Sequence, residues 1–236
     1  MTDPRTAVVT GASRGIGLAV ARAFAERGMR VVMLARSAPG LRDAAASLGD
    51  RAIPIECDVG DSRAVDAATK RVADDLGSAP DVVVNNAGLF RLSAARSTDP
   101  ADFAEALEVN LVAPFRVIRA FLPAMQDRKR GHIVNIGSIA DRTAFPENGA
   151  YAASKFGLRG LHEVLRAELA GSGVRTTLVS PGPTDTSLWN DIDPDNRPGF
   201  TPRASMLRSE AVAAAVLYAV TQPGEVNVDE LRLSRA

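Results

Sequence analysis

The chain has 236 residues, of which 46% are hydrophobic and 24% charged, a composition typical of a globular protein with a substantial core. Its 28 basic and 28 acidic side chains balance, so we expect no nucleic-acid partner and no attraction to an anionic membrane. No apolar run reaches the roughly 20 residues that span a bilayer, and the N-terminus lacks the pattern of a signal peptide, so we expect a cytoplasmic protein.

Short β-branched runs alternate with segments of helical periodicity along the chain. Strands are predicted over residues 6–10, 30–35, 51–57, 81–85, 132–136, 174–180 and 227–233, and helices over 16–28, 41–48, 62–76, 100–125, 151–169 and 209–220. Pro54 makes the third strand an edge or irregular strand, and Pro114 predicts a kink in the fourth helix. Nearly continuous apolar strands separated by helices predict one α/β domain over residues 1–236. Its doubly wound parallel sheet would have about seven strands, with helices on both faces.

One long stretch, residues 181–208, has no periodicity and is rich in proline, aspartate and asparagine. Such a stretch is either a tolerated surface insertion or a functional loop. Because it follows the carboxyl end of a strand, where open α/β sheets bind ligands, we expect residues 183–208 to form a lid over a substrate site.

The first strand is followed by the turn TGASRGIG, residues 10–17. Its three glycines allow a tight turn and a close backbone approach, and the N–H groups that begin the next helix can face an anion. The spacing G-x-x-x-G-x-G differs from G-x-G-x-x-G, and no Lys-Ser or Lys-Thr follows as in a P-loop. We predict a pyrophosphate site here, formed by Gly11, Ser13, Arg14, Gly15, Ile16 and Gly17.

A second group of polar residues comprises Ser138, Tyr151 and Lys155. Tyr151 and Lys155 are four residues apart in a predicted helix and therefore share one face. A nearby lysine charge lowers the pKa of a phenol from its usual value near ~10, which would let Tyr151 transfer protons near neutral pH. By itself this pair is also typical of a packed ring beside a solvated amine, so the remaining motifs decide between the two interpretations.

Six motifs together resemble the short-chain dehydrogenase/reductase family in order and spacing. They are TGASRGIG, NNAG at 85–88, Asn110, Ser138, Tyr151-x-x-x-Lys155 and PGPTDT at 181–186. The resemblance covers about residues 6–186. It implies a Rossmann-like fold, hydride transfer between a nicotinamide cofactor and a small carbonyl or alcohol substrate, and a homodimer or homotetramer. No metal is expected, because the single cysteine and two histidines are not clustered.

The resemblance also implies the role of each catalytic residue. Tyr151 would be the acid/base, and Lys155 would lower its pKa and hold the nicotinamide ribose. Ser138 would orient and polarise the substrate oxygen. Asn110 would interrupt a helix and anchor a water that links Lys155 to solvent.

Further cofactor contacts follow from the same resemblance. Asn86, Ala87 and Gly88 would lie on the adenine ribose side, and Asp58 and Val59 beside the adenine ring. Asp58 has an alternative role as a cap of the next helix, although Asp61 or Ser62 is better placed. Pro181, Gly182, Thr184 and Thr186 would surround the nicotinamide carboxamide.

The end of the second strand indicates which dinucleotide binds. An NAD enzyme would have an acidic residue there for the ribose 2′-OH, but this chain has Ala35 followed by Arg36 and Ser37. Arginine suits a 2′-phosphate, and the resemblance places Arg14 close enough to join it. We predict NADP(H), with NAD(H) the less favoured alternative.

Most residues expected around the substrate are apolar: Leu89, Phe90, Ile139, Ala140, Phe145, Pro183, Leu188, Trp189 and Phe200. Arg91 and Arg142 are either solvated or available to a substrate carboxylate. His132 and His162 are expected at a strand start and on a helix surface. We expect an NADPH-dependent reductase of ketones, aldehydes or 3-oxo acids.

Three alternatives remain. One is a dehydrogenase that mainly oxidises a 3-hydroxy acid or another secondary alcohol. The others are an epimerase or dehydratase on the same scaffold, and a dinucleotide sensor without catalysis.

Overall fold

The computed structural model describes residues 5–236; residues 1–4, part of the segment in which we expect no signal peptide, lie outside it. The strands are β1 (Thr6–Thr10), β2 (Arg30–Ala35), β3 (Ala52–Glu56), β4 (Val82–Asn85), β5 (Gly131–Ile136), β6 (Val174–Pro181) and β7 (Glu230–Leu233). The α-helices are α1 (Gly15–Glu26), α2 (Ala38–Ala46), α3 (Ser62–Leu76), α4 (Pro100–Leu107), α5 (Ala113–Asp127), α6 (Gly149–Glu168) and α7 (Ser209–Val220). The strands form one seven-stranded sheet in the order β3-β2-β1-β4-β5-β6-β7, and every pair is parallel. The predicted fold class is confirmed.

Helices cover both faces of the sheet because successive strand residues point in opposite directions. Ala7 and Val9 of β1 pack with α1, α2 and α7 on one face. Val8, between them, packs with α3, α5 and α6 on the other. This double burial explains why the strands are continuous apolar runs rather than alternating ones.

The strand order positions the functional loops. The chain runs from β1 outward to β3 and then returns to β4 on the other side of β1. The loops after β1 and β4 therefore diverge and leave a crevice at the carboxyl edge of the sheet. The loops after β5 and β6 end at the same edge, because all strands run in one direction.

Two prolines test the predicted irregularities. Pro54 lies in β3, the edge strand, as predicted. The helix predicted over 100–125 is interrupted by a π-helical turn at Glu108–Val112, directly before Pro114. A proline lacks an N–H and crowds the carbonyl four residues earlier, here that of Asn110, so the irregularity lies where Pro114 is expected to disturb the helix. None of the helices in residues 5–236 has the length and apolar character needed to cross a membrane.

Candidate active site

A cleft of about 930 Å³ opens at the carboxyl edge of the sheet. The residues predicted to bind cofactor or to react line it, except for Gly17 and Asn110, which are buried. Residues as far apart in sequence as Gly11 and Thr186 thus share one cavity. Within residues 5–236, no group of three or more His, Cys, Asp or Glu side chains could hold a metal ion.

The turn between β1 and α1 has a backbone geometry that requires glycine. Gly11 and Gly15 have φ angles of +64° and +56°, in the left-handed region that other residues rarely adopt. A Cβ on Gly17 would lie 2.3 Å from the Gly11 carbonyl oxygen and 2.5 Å from Asn86 Nδ2. The turn can therefore pack closely against the loop after β4, and Gly15 at the start of α1 lines the cleft without a side chain, a geometry that fits an anionic group at the helix N-terminus.

The loop after β4 braces this turn. Asn86 Nδ2 donates hydrogen bonds to the carbonyl oxygens of Thr10 and Gly11, at 2.9 and 3.2 Å. The Thr10 hydroxyl accepts the backbone N–H groups of Asn86 and Ala87, both at 3.0 Å. These contacts hold the loops after β1 and β4 in a fixed relation across the crevice.

One end of the cleft carries positive charge without a counter-ion. Arg14, Arg36 and Ser37 line this end and are exposed. In the described part of the chain, no carboxylate forms a salt bridge with either guanidinium. Ala35, where an acidic residue would bind a ribose 2′-OH, is buried. Together with the glycine turn, these groups fit the phosphates of a dinucleotide that carries a 2′-phosphate.

The structure distinguishes between the two roles considered for Asp58, a cofactor contact and a helix cap. Asp61 caps α3, since its carboxylate accepts the Arg63 N–H at 2.9 Å. The Asp58 carboxylate accepts only a local bond from the Gly60 N–H, at 3.0 Å, and Asp58 and Val59 both line the cleft. The cap alternative for Asp58 is therefore excluded.

Ser138, Tyr151 and Lys155 meet at the other end of the cleft. Ser138 follows β5, and its hydroxyl accepts the Ala140 N–H at 3.1 Å and hydrogen-bonds the Tyr151 phenol. Lys155 is buried, its Nζ donates to the Ile136 carbonyl oxygen at 2.9 Å, and it lies 5.6 Å from the Tyr151 ring centroid. The helix α6 brings phenol and ammonium to one face, as the four-residue spacing predicts.

Burial has the largest effect on the pKa values of Tyr151 and Lys155. It raises the pKa of Tyr151, the Ser138 hydrogen bond opposes this rise, and the Asp141 charge adds to it. Burial lowers the pKa of Lys155 to about 8, although the Asp141 charge acts in the other direction. The pKa of Tyr151 is thus raised in this structure, because desolvation of the phenolate outweighs the Ser138 hydrogen bond; the lowering expected from Lys155 stays a prediction.

Asn110 lies in the π-helical turn between α4 and α5 and is fully buried. Its Nδ2 donates to the Leu89 carbonyl at 2.8 Å and to the Ser154 hydroxyl at 3.0 Å, and its Oδ1 accepts the Leu89 N–H at 2.8 Å. These contacts tie the loop after β4 to α6, beside Lys155. The water relay expected of Asn110 stays a prediction.

Aromatic rings continue from Tyr151 into the wall of the cleft. Phe90 lies 4.8 Å from Tyr151 and 5.1 Å from Trp189, and Trp189 lies 6.4 Å from Phe200, all measured between ring centroids in edge-on arrangements. Eight of the nine residues expected around the substrate line the cleft, and only Leu89 does not.

The segment 183–208 leaves the sheet and returns to its starting point. At its base, the Leu207 N–H donates to the Pro183 carbonyl and the Asp185 N–H to the Leu207 carbonyl, both at 2.8 Å. Arg203 braces it from inside, with bonds of 2.7 Å to the Asp185 carboxylate and 2.8 Å to the Asn190 side chain. At its far end Arg197 pairs at 2.5 Å with Glu147, which belongs to the loop before α6.

The two arginines considered for a substrate carboxylate have protein partners. Arg91 pairs with Asp102 at 2.7 Å and with Glu105 at 2.5 Å. Arg142 pairs with Asp141 at 2.7 Å and with Glu230. Neither arginine lines the cleft.

His132 lies at the start of β5, as expected, whereas the helix-surface position expected for His162 is wrong. Both are buried: His132 Nε2 lies 2.7 Å from the Thr177 hydroxyl, and His162 Nδ1 lies 3.3 Å from the Thr176 hydroxyl. Burial lowers both pKa values, that of His132 to about 3. Their polar partners come from β6, which the local sequence around each histidine does not reveal.

Sequence analysis missed one charged residue next to the site. Asp141 is fully buried, three residues after Ser138. The spacing Ser-x-x-Asp is a capping-box pattern, and Ser138 and Asp141 do form one around the 3₁₀ turn Ile139–Asp141. That pattern was the available signal, although it does not predict burial.

Comparison with known proteins agrees with this geometry. The family described as short chain dehydrogenase matches residues 5–197. An uncharacterised oxidoreductase of Staphylococcus epidermidis is 33% identical over 229 residues, which cover 97% of this chain and 96% of that protein.

Two solved structures extend the comparison. A metagenomic short-chain oxidoreductase in complex with NADP is 34% identical, with a TM-score of 0.85 over 99% of this chain and 98% of the other. An alcohol dehydrogenase of the archaeon Thermococcus sibiricus, complexed with 5-hydroxy-NADP, is 32% identical, with a TM-score of 0.86 over 97% and 95%. With its parallel sheet, glycine turn and matching sequence, the chain belongs to the short-chain dehydrogenase/reductase family of oxidoreductases.

Proposed function

We propose that this oxidoreductase uses NADPH to reduce a ketone, an aldehyde or a 3-oxo acid to the alcohol, in a reversible reaction. The observation that carries the proposal is the arrangement of the cleft: Ser138, Tyr151 and Lys155 lie at one end, and unpaired Arg14 and Arg36 lie at the other. The NADP and 5-hydroxy-NADP complexes of the two similar structures support the choice of cofactor.

The chain's own residues handle the proton. NADPH, when bound, supplies the hydride. Tyr151 gives its proton to the carbonyl oxygen, and the Ser138 hydroxyl, its hydrogen-bond partner, orients the same oxygen. Lys155 is held by the Ile136 carbonyl, and its ammonium would stabilise the phenolate that remains and hold the ribose hydroxyls of the cofactor. Because burial raises the Tyr151 pKa, the phenol is protonated at neutral pH, which suits reduction. Oxidation of a secondary alcohol by the same residues in reverse is the alternative.

The substrate site favours neutral, apolar compounds. The wall beside Tyr151 is aromatic, with Phe90, Trp189 and Phe200. Arg91 and Arg142 are engaged by protein carboxylates and do not line the cleft, so they are not available to a substrate carboxylate. We therefore propose ketones and aldehydes with hydrophobic substituents ahead of 3-oxo acids, with residues 183–208 as the lid.

The proton-transfer assignment is tested by following NADPH absorbance with a panel of carbonyl compounds. Tyr151→Phe is expected to abolish reduction, since the phenyl ring has no proton to give. Tyr218→Phe is the matched control, because Tyr218 is the other of two tyrosines and is 55% exposed on α7. Full activity of the Tyr151→Phe variant on a good substrate would show that the assignment is wrong.

The cofactor assignment is tested separately through the Michaelis constants for NADPH and NADH. Loss of a charge-assisted contact of about 1.5–3 kcal/mol predicts that Arg36→Glu raises the NADPH constant about 10- to 100-fold, with little effect on NADH. Arg42→Glu is the control, because Arg42 is exposed on the neighbouring α2 and does not line the cleft. A wild-type preference for NADH would contradict the assignment.

We also propose that the chain forms a homodimer or homotetramer through α4, α5 and α6. Large apolar side chains are exposed on these helices: Phe103, Phe115, Phe156 and Val164 are 38%, 48%, 45% and 53% exposed. Exposed apolar side chains on adjoining helices favour association. Sedimentation velocity is expected to show a dimer or tetramer, and a monomer at micromolar concentration would contradict it.

A further inference from the structure

We infer that Asp141 is a positioning residue of this active site: its buried carboxylate holds the loop that carries Ser138 and places a negative charge beside Ser138, the hydrogen-bond partner of Tyr151. The inference rests on the roles proposed above for Tyr151 and Lys155. It goes beyond them in naming a residue that does not line the cleft and whose charge acts on the proton that Tyr151 gives.

The carboxylate of Asp141 is held from three sides. Its Oδ1 accepts the Arg142 Nε–H at 2.7 Å. Its Oδ2 accepts the Ser180 hydroxyl at 2.5 Å and, more weakly, the Ser138 N–H at 3.4 Å. The Ser180 contact joins the loop after β5 to the end of β6, and the Ser138 contact lies within that loop. The backbone of Ser138 is therefore fixed by the same group that bears the charge.

This burial exceeds what a cap requires. Asp61 and Asp99 cap α3 and α4 with the same kind of bond, and both are exposed. Asp141 is 0% exposed, and burying a carboxylate is costly even when it is paired. The neighbouring backbone is adapted to it: a Cβ on Gly137 would lie 2.7 Å from Asp141 Oδ2 and 2.9 Å from the Ser180 hydroxyl. The space that glycine leaves is occupied by the carboxylate.

The charges around Asp141 do not cancel. Arg142 is its partner from the same loop, and Glu230 of β7 pairs with the other side of that guanidinium. Two carboxylates and one guanidinium leave the cluster with one net negative charge. Within this cluster, the Asp141 charge acts on the phenol of Tyr151 and the ammonium of Lys155, both on α6. Ser180 contributes only a neutral hydroxyl from β6.

A negative charge in this position favours the protonated form of both groups. It raises the pKa of the Tyr151 phenol and opposes the lowering of the Lys155 pKa by burial. The phenol therefore keeps its proton until the substrate accepts it, and Lys155 keeps the charge that stabilises the phenolate. Asp141 thus helps to keep Tyr151 in the protonated form that donates a proton during reduction.

The test reads the phenol directly and needs no substrate. Tyr151 is the only tyrosine left in a Tyr218→Phe background, so the near-ultraviolet absorbance of tyrosinate then reports Tyr151 alone. In that background, Asp141→Asn is expected to lower the titration midpoint by about one pH unit, as loss of one nearby charge implies. The alkaline limb of the kcat profile for reduction should move down by the same amount.

Ser180→Ala is the matched control, because it removes a hydrogen bond to the same carboxylate but leaves the charge. It is expected to lower the melting temperature without moving the midpoint. If Asp141→Asn does not accumulate as folded protein, Glu230→Gln removes the outer charge of the cluster, at a 28% exposed side chain, and should shift the midpoint in the same direction by less. An unchanged midpoint in the folded Asp141→Asn or Glu230→Gln variant, or an equal shift in Ser180→Ala, would overturn the inference. A shifted midpoint without any carbonyl reduction would instead refute only the proposed reaction.

Discussion

The difference in unfolding free energy between the wild type and a Lys155→Met variant should depend on pH in a defined way. Methionine keeps most of the apolar length of lysine and removes the buried ammonium. Burial lowers the Lys155 pKa from 10.5 to about 8, so the folded protein binds this proton less tightly than the unfolded chain. A lowered lysine pKa means that the wild type carries a stability penalty below about pH 8, which is relieved as the pH rises towards 10.5.

The size of the effect follows from the shift. Two and a half pH units correspond to a penalty of about 3 kcal/mol near pH 7, which falls to about 1 kcal/mol near pH 10. No discount for solvent screening is needed, because Lys155 is 4% exposed. The variant also loses the hydrogen bond from Lys155 to the Ile136 carbonyl, which changes its stability. This loss does not alter the direction of the pH trend. The wild type should therefore gain about 2 kcal/mol relative to Lys155→Met over this range.

Urea unfolding of both proteins across the same pH range measures this difference. The comparison of two variants cancels the titration of groups that they share. Lys70→Met is the control, because Lys70 is exposed on α3 and should show no such trend. Parallel stability curves for wild type and Lys155→Met would refute the reasoning, since they would mean that burial does not perturb this ammonium.

Two further predictions concern other buried positions. The wild type should lose stability as the pH falls from 6.5 to about 3, because the folded His132 pKa of about 3 makes protonation of the buried imidazole unfavourable in this range. The His132→Gln variant should lose less stability over the same range. Acid unfolding curves parallel to those of the wild type would contradict this. Gly17→Ala should lower the melting temperature and weaken NADPH binding by calorimetry, because its Cβ would lie 2.3 Å from the Gly11 carbonyl oxygen. Gly160→Ala in α6 is the control: no atom lies within 4 Å of its Cβ, so a gain of up to about 1 kcal/mol is expected. Equal behaviour of the two alanine variants would contradict the steric argument.

Much of this protein was predictable from local sequence. The β-branched runs predicted the strands, and their continuous apolar character predicted a parallel sheet covered on both faces, because a strand buried twice has no polar side. The glycine spacing at 11, 15 and 17 predicted the tight turn, since only glycine adopts positive φ at such low cost. The four-residue spacing of Tyr151 and Lys155 placed both on one helical face.

Other properties depended on neighbours that are distant in sequence. Whether Lys155 lowers the Tyr151 pKa depends on how deeply both are buried, and burial comes from the assembled loops. His162 was expected on a helix surface, but β6 brings the Thr176 hydroxyl to its ring. The sequence left open whether Arg142 is solvated or binds a substrate carboxylate, whereas in the structure Asp141 and Glu230 of the last strand pair with it.

Asp141 illustrates what local sequence determines and what only the tertiary structure decides. Its spacing from Ser138 determined the local capping box, because a capping box depends only on residues within one turn. Its complete burial and its bond to Ser180 were decided by β5 and β6 lying side by side, and only Gly137 leaves room for the carboxylate there. The sequence by itself thus determined the strands, the turn and the spacing of the reactive groups, since these follow from local periodicity and backbone freedom. The tertiary structure alone decided the charges and solvent access around those groups, because electrostatic effects depend on distance in space and on burial.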